Sequence, residues 1–122
     1  MAIVPAAAFA ALLGLQAVAF ACVPTSAQTN VSTTSAEPGD AIQVGATGLG
    51  AANSPYRLRM AASAANPHAG PFMGGTANTD ASRNIPMVTR IIPTNATSGV
   101  RYLCWVSPSE NDNSSPVAFT IL

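Results

Sequence analysis

The sequence predicts an all-β sandwich over residues 22–122, preceded by an apolar helix over residues 1–21. Three observations predict it. Past residue 22 the apolar side chains recur at every second position, the spacing of half-buried strands. The runs are short and bounded by Gly, Pro, Asn, Asp and Ser, whose chemistry makes turns. No stretch beyond residue 22 has helical periodicity. A chain of 122 residues holds one domain, not two.

The apolar fraction divides the chain into two parts. Residues 1–21 contain nine Ala and a run of Leu, Val, Ile and Phe, with Gln16 as the one strongly polar side chain. All ten charged residues lie beyond, beginning at Glu37. Three readings of the leader stand side by side. Ala19-Phe20-Ala21 directly before Cys22 is a small-x-small cleavage pattern, as in a secretory signal peptide, although no basic residue precedes it. A stretch of about 18 or more apolar residues is also long enough to be kept as a membrane anchor or filament stem. A lipoprotein signal would acylate Cys22. All three export the chain.

In the body, Gln28 to Thr34 is β-branched and polar, suited to an edge strand. Glu37-Pro38-Gly39-Asp40 is a turn, with Pro presetting φ and Gly taking the positive-φ position. Ala41 to Thr47 alternates, with Ile42, Val44 and Ala46 on one face. Gly48-Leu49-Gly50 ends it. Tyr56 to Met60 places Tyr56, Leu58 and Met60 inward and Arg57 and Arg59 outward. Met87 to Ile92 is a further strand, closed by Pro93. Val100 to Val106 reads with Val100, Tyr102, Cys104 and Val106 on one face and Arg101 on the other, and Val117 to Leu122 closes the chain.

Seven aromatics in the whole sequence, two of them in the leader, make a modest core that a disulfide would reinforce. Cys22 and Cys104 are the only pair, and an exported chain meets an oxidising compartment unless Cys22 is lipidated. Closing so long a loop contributes on the order of 4 kcal/mol in the chain-entropy model.

Ser98-Gly99-Val100-Arg101-Tyr102-Leu103-Cys104-Trp105-Val106 resembles strand F of an immunoglobulin-like domain, in which a Tyr two residues before the Cys forms the tyrosine corner. Ala36 to Val44 is similar to the opening of many bacterial surface Ig-like repeats. Ser115 to Leu122 resembles the last strand of such modules in secreted actinobacterial proteins. The resemblance implies an Ig-like β-sandwich with Tyr102 packed inside it. The sequence departs from the antibody pattern in two places. Val44 stands where the first Cys would be, and Trp105 is the only Trp. The expected disulfide therefore pins the entry segment to strand F rather than bridging the sheets.

Composition and motifs narrow the function. Five Arg, no Lys and five acids give a net charge of zero and no basic cluster, which argues against nucleic acid and anionic membrane surfaces. Membrane contact is expected only through residues 1–21. Activated-nucleophile chemistry needs a base and a group that orients it. His68 is the only imidazole, and it reads as a surface loop residue. Glu37, Asp40, Asp80, Glu110 and Asp112 read as solvated turn acids. Glu110-Asn111-Asp112-Asn113 carries oxygens of the kind Ca²⁺ takes but lacks EF-hand spacing, so no metal or other cofactor is expected. The triplets at Asn30, Asn95 and Asn113 match the N-glycosylation pattern, as chance allows in so Ser-, Thr- and Asn-rich a chain.

Residues 61–84 are the least regular. His68, Phe72 and Met73 there form a candidate binding loop, since long loops tend to carry function. The alternative is that Phe72 and Met73 form a short extra strand. These readings predict an exported, non-enzymatic structural or interaction module at the cell surface, with a protein or cell-envelope partner or self-assembly. A pilus-like filament subunit built on residues 1–21 is the first alternative. A secreted small-ligand carrier is the second.

Overall fold

The computed structural model describes residues 22–62 and 70–122. The expected leader helix over residues 1–21 and His68 of the candidate loop lie outside the described residues. Eight strands form in chain order: β1 (Gln28–Val31), β2 (Ser35–Ala36), β3 (Ala41–Thr47), β4 (Pro55–Ala61), β5 (Phe72–Asn78), β6 (Ile85–Ile91), β7 (Gly99–Val106) and β8 (Val117–Ile121). They make two sheets, ordered β1-β3-β6 and β2-β8-β7-β4-β5. Every pairing is antiparallel except β2 with β8.

Alternation builds the inner faces. Ile42, Val44 and Ala46 from β3 meet Tyr56, Leu58 and Met60 from β4 in one buried cluster, joined by Leu103, Trp105, Phe119 and Ile121. Two sheets packed through such faces bury one core between them. The turn before β3 forms as its residues require. Gly39 sits at φ 90°, Glu37 O accepts from Asp40 N at 3.0 Å, and Gly39 N donates to Ile92 O at 2.8 Å. That last bond docks the turn on the end of β6.

Of the edge segment expected over Gln28 to Thr34, Gln28–Val31 forms β1, and a second strand, β2, follows beyond it at Ser35–Ala36. β1 pairs with β3, and then the chain crosses to the other sheet, where Ser35 and Ala36 run parallel to Thr120 and Ile121. Thr33 Oγ1 marks the crossing, donating to Ser35 O at 3.1 Å. One segment thereby covers part of an exposed edge on both sheets.

Trp105 is the inter-sheet pin. It is fully buried, and its indole Nε1 donates to Gly45 O at 3.1 Å, from β7 to β3. Gly45 lies where the β3–β6 register shifts. A Cβ there would sit 2.6 Å from Ile85 O, so the close approach needs glycine.

The expected orientation of β7 is overturned. Leu103 and Trp105 face the inter-sheet core, whereas Cys104 and Val106 belong to a second cluster with Cys22 and Phe72. Tyr102 shares their outer face. It is half-buried and makes no side-chain hydrogen bond among the described residues, so it does not form the expected tyrosine corner. Arg101, taken as the marker of the solvent face, stands on the core-facing parity at the start of the strand. There it bends away to donate to Thr97 O and Oγ1, both at 2.9 Å.

Cys22 and Cys104 form a disulfide with Cα atoms 5.6 Å apart. It fastens the entry segment to the outer face of β7, and no bridge crosses the core. A bridge through the Cys22 Sγ and a lipid on the same sulfur exclude each other. Such a bond persists in oxidising surroundings. No helix among the described residues is long and apolar enough to cross a membrane.

Candidate functional site: three loops at one end of the sandwich

The register brings the ends of β3, β5 and β7 to the same end of the molecule, because Ala46 pairs with Ile85, Pro55 with Asn78 and Arg57 with Val106. Three connections, residues 48–54, 79–84 and 107–116, therefore converge there. They are tied to one another rather than to solvent. Leu49, buried at the base, donates its N–H to Arg83 O at 3.0 Å, and Asn53 N donates to Asp80 O at 3.2 Å. Thr79 Oγ1 donates to Ala51 O at 2.7 Å and accepts from Ser54 N at 2.9 Å. Asp80 Oδ1 accepts from Ser82 N and Asn84 N, at 2.8 and 2.9 Å. Asx-type bonds of this kind hold a loop in one conformation.

Asp112 links the third loop to the first. Its Oδ2 accepts from Gly50 N at 2.9 Å and from the Tyr56 hydroxyl. Burial pushes the Tyr56 phenol up to about 12, and the hydrogen bond and negative charge of Asp112 add to the rise. The backbone N–H groups of Ala51 and Gly50 act in the opposite sense. An unfolded phenol ionises near 10, so the folded state favours the protonated form. This contribution to stability is complete below pH 10 and is lost as pH climbs to about 12. Tyr56→Phe should cost about 1–3 kcal/mol by removing a hydrogen bond to a carboxylate, and it should flatten the fall of the urea midpoint between pH 10 and 12. An unchanged alkaline slope in the variant would contradict the Tyr56–Asp112 assignment.

Two hollows flank Ser107 and Pro108 on this end. One, about 450 Å³, is bordered by Gly50, Tyr56, Pro108 and Asp112. The other, about 330 Å³, opens on the outer face of the five-stranded sheet between Arg57, Phe72, Val106, Pro108 and Glu110. Phe72 carries two guanidinium groups, with the Arg57 and Arg59 Cζ atoms 4.0 and 4.5 Å from its ring centroid. Arg59 faces outward as expected, beside Arg57 over Phe72, but it is buried there, and its Nη2 lies 3.6 Å from Glu110 Oε2 in the loop that follows β7.

The candidate loop residues separate. Met73 is a core side chain and does not face a ligand. Phe72 packs half-buried against the disulfide cluster. Both belong to β5, so the extra-strand alternative is the one that forms. The acids of the 110–113 tip diverge, Glu110 toward Arg59 and Asp112 toward Tyr56. Asn113 is buried, and its Nδ2 donates to Val23 O and Ser114 O, both at 2.8 Å, so its glycosylation triplet is closed off.

The Tyr56–Asp112–Gly50 junction was not foreseen from the residues. Its partners lie 56 positions apart, and only the inward alternation of Tyr56 hinted at it. No family model and no curated protein matches this sequence. The described part defines an all-β, two-sheet protein with one stapled, loop-bearing end.

Proposed function

We propose that the chain is an exported, non-enzymatic Ig-like sandwich that serves as an interaction module at the cell surface. The observation that carries this reading is the platform of three connections at one end, held by side-chain bonds to backbone on a stapled scaffold. Binding residues concentrate on loops positioned by a rigid frame, and preorganised loops lose less entropy on association. The strand order supports the Ig-like part. A β1-β3-β6 sheet facing β8-β7-β4 with β5 added corresponds to strands A, B and E facing G, F and C with C′. The Cys22–Cys104 bridge supports export.

The absence of Lys makes one experiment selective. A membrane-impermeant amine reagent applied to intact cells can react only with the α-amino group. Export with cleavage predicts labelling, with the labelled residue being Cys22 and no free thiol in the unfolded, unreduced protein. A labelled residue at or near Met1 moves the chain to the anchored or filament alternative. An unlabelled protein with two free thiols overturns the reading.

A further inference from the structure

Among the described residues, Arg57 and Arg83 take part in neither an ion pair nor a side-chain hydrogen bond, and of the two it is Arg57 that borders the hollow of about 330 Å³. Arg59 is answered by Glu110, while Arg90 and Arg101 donate to backbone carbonyls. Asp112 is committed to Gly50 and Tyr56, and Asp80 to its own loop. Asp40 holds the N–H of Glu37 at 2.9 Å in the turn before β3, at the opposite end of the sandwich. No acid lies within ion-pair distance of Arg57 among the described residues, and residues 1–21 and 63–69 contain none. Yet Arg57 is not a loose surface arginine. Its guanidinium lies over Phe72 and makes no hydrogen bond among the described residues, so its N–H donors remain available to a planar acceptor.

We propose that the hollow beside Arg57 docks a carboxylate-bearing segment of a protein partner. The carboxylate pairs with Arg57, and an adjoining apolar side chain enters between Phe72, Val106 and Pro108. Charge complementarity selects this occupant. The Arg59–Glu110 pair is internally neutral, so the hollow carries one net positive charge above an apolar floor. Val106 is buried beneath it, and Phe72 is already packed. The receiving groups are therefore preorganised, and little side-chain entropy remains to be lost on binding. A fork of guanidinium N–H donors matches a carboxylate better than any neutral amide. This inference rests on the interaction-module reading and names the partner's chemistry.

The test uses two blocked peptides, acetyl-Gly-Leu-Glu-Pro-Gly-amide and its Gln counterpart, titrated into the oxidised protein and followed by amide and Arg side-chain NMR. The Glu peptide should bind about twofold to fivefold more tightly, the preference expected of a partly exposed charge-assisted pair. It should shift the Arg57, Phe72 and Pro108 neighbourhood and lose its advantage at high salt. Arg57→Gln should abolish the preference, whereas Arg101→Gln, an equal charge change at the far end, should keep it. Equal binding of the two peptides, or a preference that survives Arg57→Gln, overturns the proposal. Failure here with the protein correctly exported and oxidised sinks the hollow alone. A retained preference in a protein found reduced inside cells sinks the cell-surface reading alone.

Discussion

Trp105→Ala should cost about 3–5 kcal/mol, the range for deleting a large buried aromatic, and should leave the protein largely unfolded at moderate urea. Trp105 is fully buried among the side chains of both sheets, and its indole bond to Gly45 O crosses between them. Against a total stability of about 5–15 kcal/mol for a domain, this single change removes a large share. Trp105→Phe separates the two contributions. It keeps an aromatic ring but leaves the Gly45 carbonyl without its donor, a loss of about 1–3 kcal/mol before any volume change. Far-UV circular dichroism must follow the melts, because Trp105 is the only Trp and its fluorescence disappears with it. Tyr102→Ala is the contrasting variant. Its side chain is half-buried on the outer face of β7, so about 1 kcal/mol is expected, as for an average substitution. Equal losses at the two positions would reverse the facing of β7.

Removing the disulfide should be the second large effect. The bond joins residues separated by 82 positions, for which the chain-entropy relation gives about 4.5 kcal/mol at room temperature. The Cys22→Ala, Cys104→Ala double variant should therefore unfold at a far lower urea concentration than the oxidised protein. Reducing the unmodified protein should reproduce the shift. Part of the loss is local. Without the bridge the entry segment no longer covers Val106 and Phe72 on the outer face, so hydrogen exchange should accelerate there first. A double variant as stable as the oxidised protein would remove the staple from any account of this fold.

The strands legible in the sequence were those with a polar side chain at alternate positions on one face. Ala41 to Thr47 and Tyr56 to Met60 are of this kind, and in both the inward set is buried, with Gly45 and Arg59 of the outward set covered as well. The turn at Glu37 to Asp40 was legible because Pro and Gly constrain φ without help from tertiary contacts. β5 was not. Gly74-Gly75-Thr76-Ala77-Asn78 has weak intrinsic strand preference, and Gly74 takes φ 74° beside the Arg90 side chain. This strand exists because β4 offers an edge, with the register shifting between Arg57 and Leu58 to absorb the extra residues. Met73 thereby reaches the core instead of a ligand.

The loop-end site was less legible than the fold. Tyr56 and Asp112 are unremarkable apart, and no local pattern joins a strand tyrosine to an acid in a distant loop. Arg57 and Arg59 read as equivalent outward charges. Their difference arises because the loop after β7 turns back over the sheet and brings Glu110 to Arg59, leaving Arg57 exposed.

The sequence by itself determined the class, all-β in two sheets, along with the main hydrophobic faces and the pairing of its only two cysteines. Periodicity, turn chemistry and cysteine count are local properties or simple sums, and they survive without knowledge of neighbours. Only the tertiary structure decided which face of β7 is inside. From Tyr102 to Val106 both faces are apolar, so alternation carries no sign. Leu103 and Trp105 fill the space between the sheets, while Cys104 and Val106 are covered from outside by Cys22 and Phe72. An apolar strand with two partners can be oriented only by the shapes of both, and those shapes come from residues far along the chain.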